Sequence, residues 1–285
     1  VVNAAGLYAD KIASMIEPIS WKITPRKGEY YVLDHHAPFI VSRPIFPLPS
    51  EKGKGILVSP TTSGNYLIGP SSEEVENKDD YATDSFTLEN VKANATLLVK
   101  SIPFYESIRV FSGLRATGNT HDFVIEHAKC NDHFINIGAI ESPGLASSPA
   151  ISEYVINDLI KPIIELIPNK DFNPYVRKYP RLNKLSDEEK NKLIKKDPDF
   201  GQVVCLCENI SLGEIKDVLS RNAAPTSIKG VKRRLRTGFG KCQGGYCHAD
   251  LVMILAQHYN VSPLEILYDR PGSNIVLEEI KKVNE

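Results

Sequence analysis

An α+β protein in two parts is what the sequence predicts, and three observations predict it. Short β-rich runs punctuated by prolines and glycines fill much of the first 110 residues. A strand, tight turn and helix unit follows, and a polar stretch then leads to a small helical end that holds paired cysteines. The expected fold is an antiparallel sheet with packed helices, followed by a small, mainly helical domain. At 285 residues, 42% hydrophobic and 24% charged, the composition is globular and the length suits about two domains.

The elements follow in order. Val1-Val2-Asn3-Ala4-Ala5-Gly6 reads as the end of a buried strand entering a small-residue turn, and Leu7, Ile12 and Ile16 then mark an apolar-periodic helix. Chains rarely start inside a core strand, so the expectation is the C-terminal part of a longer protein. Over residues 21–68, breakers such as Pro25, Gly28, Pro49, Gly53 and Gly64 separate runs at 30–33 and 66–68 that suit an antiparallel sheet. Acidic residues 73–80 precede Phe86, Val91, Ala95, Leu98 and Val99, whose spacing predicts one helix packed on that sheet. Residues 123–125 and 134–137 predict strands, and 148–167 a helix. Residues 169–199, rich in Pro, Asn, Lys and Asp, read as a linker with one short helix opened by Ser186 and Glu189. Serine and glutamate at that spacing cap each other's amides, and Ser211 with Glu214 and Ser262 with Glu265 predict two more helices by the same device.

The formal net charge of −1 gives no electrostatic reason to expect nucleic acid or an anionic membrane surface as partner. No apolar run approaches the roughly 18 to 20 residues a membrane helix needs, so the expectation is a cytoplasmic protein that reaches a membrane only through a partner. Five cysteines are too sparse for a disulfide scaffold. Four fall in two tight pairs, Cys205-x-Cys207 and Cys242-x-x-x-x-Cys247, separated by 34 residues and flanked by Gly240, Gly244 and Gly245. Thiolates ligate iron–sulfur clusters, and glycine turns let amides approach the sulfurs. Lys229, Lys232, Arg233, Arg234, Arg236 and Lys241 lie just upstream, and positive charge favours a reduced anionic cluster. A zinc site of four thiolates and four unrelated buried cysteines are the alternatives, zinc more often taking pairs spaced by two residues. Cys130 stands alone and reads as a small core hydrophobe or inert thiol.

The run from Val231 to Cys247, with Val204-Cys205-Leu206-Cys207-Glu208-Asn209 before it, resembles the bacterioferritin-associated-ferredoxin-like 2Fe-2S domain. In particular it resembles the version fused to the flavin subunit of anaerobic glycerol-3-phosphate dehydrogenases. Upstream, Val2-Asn3-Ala4-Ala5-Gly6 is similar to a nucleotide-contacting motif of the D-amino acid oxidase superfamily of flavoproteins. Ser112-Gly113-Leu114-Arg115 resembles that superfamily's strand whose arginine holds the substrate anion, a task the guanidinium fork suits. The segment from Asn136 to Ala150 resembles its closing flavin-binding loop, where a helix N-terminus offers amides to reduced flavin.

The resemblance implies a truncated FAD-dependent oxidoreductase. Residues 1–20 would end one segment of the FAD-binding domain, 21–110 would be the substrate-domain antiparallel sheet, and 111–168 the return of the FAD-binding domain. After the 169–199 linker, 200–285 would hold the 2Fe-2S domain and C-terminal tail. The implied cofactors are FAD, contacted by Ala4, Ala5, Gly6, Gly138, Gly144, Leu145, Ala146 and Ser147, and a 2Fe-2S cluster on Cys205, Cys207, Cys242 and Cys247. Arg115 would anchor a small anionic substrate, glycerol 3-phosphate or a 2-hydroxy acid such as L-2-hydroxyglutarate. Electrons would pass to an acceptor subunit or quinone-linked chain. No GxGxxG fingerprint is present, since Gly238-Phe239-Gly240-Lys241-Cys242-Gln243 fails at its last position. This stretch alone is therefore expected to be inactive. A non-catalytic zinc-binding interaction module is the alternative from another class. His35 and His36 read as a solvated pair in a polar turn.

Overall fold

The structure, a computed structural model, describes residues 1–48 and 55–279 and divides into two units, Val1–Phe172 and Asn173–Glu285. Pro49, Gly53 and the last residues of the tail lie outside the described residues.

In the first unit, β1 (Val2–Asn3) enters a 3-10 turn and α1 (Ala9–Ser14). Then come β2 (Ile23–Leu33), β3 (Leu57–Pro60), β4 (Tyr66–Gly69), β5 (Glu73–Glu74), α2 (Ser85–Leu98) and β6 (Ser107–Gly118). β2 carries β6 antiparallel along one edge, and shares the other between β4 and β5. β7 (Val124–Ala128) and β8 (Asn131–Gly138) form a hairpin, and β8 takes β1 in parallel on its free edge. α3 (Gly144–Tyr154) closes the unit and runs on through a π-helical turn, Val155–Ile160. The fold is α+β.

Local chemistry explains these boundaries and several departures from expectation. β1 is not fully buried. Val2 is 46% exposed and only Asn3 is sealed, its side-chain amide donating to the Ala9 carbonyl and to Asn136 Oδ1, both at 2.9 Å. α2 is capped by Asp84, which accepts the Thr87 amide, and Val91 and Ala95 pack on Leu33, Val58 and Ile68. Phe86, five residues before Val91, falls off that face and is 76% exposed. The acidic stretch is laid against the sheet. Lys27 Nζ donates to Asp80 and to the Ala82 carbonyl, both at 3.0 Å, while buried Glu29 accepts the Asp84 amide and burial pushes its carboxyl up. α3 starts four residues before the expected Ser148, and Pro149 sits inside it. The Leu145 carbonyl, which Pro149 cannot serve, accepts from Ser148 Oγ at 2.9 Å. Cys130 is exposed, so it is no core hydrophobe.

The second unit holds α4 (Asp187–Lys196), β9 (Val203–Cys205), β10 (Ile210–Ser211), α5 (Leu212–Leu219), α6 (Ile228–Leu235) and α7 (Cys247–Tyr259). Ile215, Val218, Ile228, Val231, Leu235, Leu251 and Leu255 form its core. Part of the expected linker packs onto this unit. Glu214 is buried with one oxygen on the Ser211 amide and hydroxyl, and its other oxygen accepts the Leu182 amide at 3.2 Å. Arg181 donates to the Arg234 carbonyl, and the Arg221 guanidinium lies 3.7 Å over the Tyr179 ring. The reciprocal caps at Ser186 and Ser211 open helices as expected. The one at Ser262 opens only a 3-10 turn, because Leu267 soon bridges to Ser227 and Asn274.

Asp10 couples α1 to this sheet. Its carboxylate accepts the Ile23 amide at 3.0 Å and pairs with Lys78. Burial pushes its pKa up, but those donors outweigh burial and hold it below the ordinary 3.8. A depressed folded-state value means stability that is present above about pH 4 and is lost as pH falls through the folded value. Asp10→Asn is expected to cost about 1–3 kcal/mol at pH 7, with the gap from the parent closing below about pH 3 in urea melts across pH.

Candidate metal centre and active-site pocket

The four paired cysteines come together at the ends of elements. Cys205 closes β9, Cys207 follows two residues later, Cys242 lies in the loop after α6, and Cys247 is the first residue of α7. All four are free thiols. Cys205 and Cys247 are each 1% exposed, whereas Cys207 and Cys242 are shallower, with their Sγ atoms 3.5 Å apart. Spatial pairing thus crosses sequence pairing. The Cys247 thiol hydrogen-bonds Cys205 and pulls it down to about 6, while Cys247 itself is pushed up by sharing its proton. Burial pushes Cys242 up, but the amides of Tyr246 and Gly244 and the Cys207 thiol outweigh it and hold it low. One thiol of each spatial pair is poised to ionise.

The surrounding backbone fits a 2Fe-2S cluster by the chemistry of its donors. The Gly238 amide points at Cys205 Sγ from 3.5 Å. A Cβ on Gly240 would overlap the Cys207 side chain, and one on Gly244, at φ +93°, would overlap the His248 ring. Among the described residues, the buried Thr237 hydroxyl and His248 Nε2 have no hydrogen-bond partner, so polar capacity is held in reserve around the thiols. The basic run is less concentrated here than its sequence suggested. Lys229 and Arg233 pair with Asp269, and Arg234 serves the carbonyls of Gly230 and Ala223. Lys232 donates to the Gly238 carbonyl at 3.0 Å, and Arg236 pairs with Glu208 while stacking 4.1 Å over Phe239. Those two reach the cysteine loops.

In the first unit an open cavity of about 1170 Å³ is lined by Arg26, Tyr30, Arg115, Asn90, Asn94 and Ser142, among others. Its floor is one face of the β2–β6 ladder. Gly28 and Gly113 lie opposite each other, and a Cβ on Gly28 would come within 2.8 Å of the Arg115 guanidinium. The Tyr30 ring stacks on Phe111 at 5.0 Å. Arg115 thus lines a cleft. Arg26 was missed because its facing depends on register with β6, which two-residue alternation alone leaves open.

The remaining flavin candidates fall at one end of the small sheet. β1 and β8 run parallel, with Asn3 beside Asn136, so exposed Ala4, Ala5 and Gly6 lie at the same end as Gly138. A Cβ on Gly138 would come within 2.8 Å of Trp21. Gly144, Leu145, Ala146 and Ser147 form the first turn of α3. The Gly144 amide is taken by Glu141 and that of Ser147 by Pro143, which leaves Leu145 and Ala146 as the helix-terminal donors.

Comparison with known proteins matches residues 1–157 to the family described as FAD dependent oxidoreductase and residues 203–257 to the BFD-like [2Fe-2S] binding domain. A glycerol 3-phosphate dehydrogenase of Caloramator mitchellensis is 46% identical over 97% of this chain and 58% of its own length. Subunit A1 of an anaerobic glycerol-3-phosphate dehydrogenase from Haloferax volcanii is 25% identical over 91% of this chain and 48% of its own. The dithionite-reduced L-α-glycerophosphate oxidase of Mycoplasma pneumoniae, solved with FAD bound, superposes with a TM-score of 0.51 at 29% identity, over 54% of this chain and 41% of its own. The chain spans about half the length of the curated relatives it matches.

The cradle makes a graded prediction. Gly240→Ala places a methyl against Cys207 and is expected to weaken cluster retention about tenfold or more. Gly245→Ala, whose Cβ would sit 3.3 Å from the Cys242 carbonyl, should be milder. Iron and acid-labile sulfide per chain after desalting read the difference.

Proposed function

Because the chain belongs to the FAD dependent oxidoreductase family and carries a BFD-like [2Fe-2S] binding domain behind it, we propose that the intact protein oxidises glycerol 3-phosphate at FAD and delivers the electrons through a 2Fe-2S cluster. The observation that carries this reading is the convergence of four free thiols in a glycine-lined cradle, in a chain whose other unit holds an arginine-lined cleft. The names of the relatives, glycerol 3-phosphate dehydrogenase above all, support the substrate.

When bound, FAD supplies a hydride acceptor and the cluster supplies one-electron transfer. The residues of this chain bind and orient. Arg115 anchors the substrate anion with its fork, its guanidinium lying where a Cβ on Gly28 would intrude. The turn Ala4, Ala5 and Gly6, with Gly138, lets backbone lie against the nucleotide. In the first turn of α3, Gly144 to Ser147, the amides of Leu145 and Ala146 add the positive end of the helix beside the electron-rich edge of reduced flavin. Residues 1–20 and 111–168 thus serve the flavin, apart from Arg115 on β6, which joins 21–110 in serving the substrate, and 200–285 serve the cluster.

Cys205, Cys207, Cys242 and Cys247 hold the cluster. Leu206 and Tyr246, 73% and 75% exposed beside the ligands, mark the shallow side as the electron exit. The acceptor is a partner subunit or quinone-linked chain, for which the Haloferax relative's name as a subunit is support. Among the described residues no helix is long and apolar enough to cross a membrane. We place the protein in the cytoplasm, reaching a membrane only through that partner.

The test pairs spectroscopy with turnover. An anaerobic visible spectrum of this chain, with metals and sulfide quantified, should show about two iron and two sulfide per chain, bleached by dithionite and lost in Cys242→Ser. One zinc per chain without sulfide or colour would overturn the electron-transfer role. The full-length protein should reduce an artificial acceptor with glycerol 3-phosphate, and turnover of L-2-hydroxyglutarate in its place would overturn the substrate.

A further inference from the structure

We infer that Arg26 is a second anion-binding residue of the cavity and sets its preference for a phosphate monoester over a monocarboxylate. This deepens the glycerol 3-phosphate reading of that cavity and rests on it.

Arg26 and Arg115 are direct partners on the β2–β6 ladder, so both side chains rise from one face, and both line the cavity. Like charges directly opposite each other on a sheet are destabilising. Among the described residues neither guanidinium forms an ion pair or a hydrogen bond. The contrast with the adjacent residue is sharp. Lys27, on the opposite face, is buried and compensated by Asp80 at 3.0 Å and Glu29 at 3.7 Å. The ladder therefore neutralises its buried cation and, among the described residues, leaves the two cavity-facing ones unneutralised.

Three carboxylates also line this cavity. Glu73 accepts the Thr87 hydroxyl and Glu141 the Thr117 hydroxyl. Glu74 is the β5 partner of Arg26 on the ladder, but it is exposed and not ion-paired with it. An external anion is thus the group that suits the arginine pair. A monocarboxylate has two oxygens and one charge, which the fork of Arg115 alone saturates, leaving Arg26 uncompensated. A phosphate monoester offers three terminal oxygens and close to two charges, enough for both forks.

The test uses the full-length, FAD-loaded protein with Arg26→Gln and Arg26→Lys. Substrates are glycerol 3-phosphate, L-2-hydroxyglutarate and L-lactate, and inorganic phosphate serves as competitive inhibitor. Arg26→Gln should raise KM for glycerol 3-phosphate and Ki for phosphate on the order of 10- to 100-fold with kcat little changed. Arg26→Lys should recover part of the loss, and any turnover of lactate should be insensitive to either change. Unmoved KM and Ki in Arg26→Gln would overturn the inference while leaving the function intact. So would a drop in melting temperature shared with Glu74→Gln while KM stays put, which would make Arg26 a structural partner of Glu74. A parent protein inactive on glycerol 3-phosphate would sink the functional reading itself, and a parent preferring L-2-hydroxyglutarate would assign the pair to a dicarboxylate.

Discussion

The antiparallel ladder between β2 and β6, from Ile23 beside Gly118 to Leu33 beside Ser107, fixes what each side of the first unit can do. Its two-residue alternation sends Arg26, Gly28 and Tyr30, with Arg115, Gly113 and Phe111, to one face. Lys27 and Glu29 go to the other. A slip of one residue in either strand would break up these sets. On the cavity face Gly28 clears room for the Arg115 guanidinium. On the back face the buried charges grip the segment at Asp80 and Asp84, and Asp84 caps α2. α2 in turn brings Asn90 and Asn94 to the cavity wall, so floor and wall are both set by one register.

The second unit solves a different problem, holding four sulfurs close with little sheet to do it. Each deep cysteine is tied to the helical core. Cys247 begins the helix that buries Leu251 and Leu255, and Cys205 ends a strand packed in the same cluster. The shallow cysteines belong to loops, where positive-φ positions at Gly238 and Gly244 fold the backbone back toward the thiols.

How much of this was legible in the sequence depends on how local the cause was. The cysteine pairs and their glycines were legible because spacing and residue type suffice to specify a site of that kind. The caps at Ser186 and Ser211 were legible because donor and acceptor lie three residues apart. The cap at Ser262 misled, since the continuation past Glu265 is decided by Ser227, far away in sequence. The polar stretch before α4 read as linker because its anchors, Glu214 and Arg221, sit more than thirty residues downstream. The basic run read as a charge cloud over the thiols, yet Asp269 and Glu208 had claimed three of its members. Arg26 was invisible for the same reason: its meaning comes from the residue across the ladder.

The closeness of Cys207 and Cys242 has a chemical corollary for loading of the site. Two sulfurs 3.5 Å apart need to move by only about 1.5 Å to reach disulfide length. Handling the metal-free chain in air lets an oxidant such as dioxygen take two electrons while the thiols release two protons, joining the outer pair and leaving Cys205 and Cys247 sealed beneath. Iron and sulfide would then meet a locked door, and a reductant would have to open it before loading could begin.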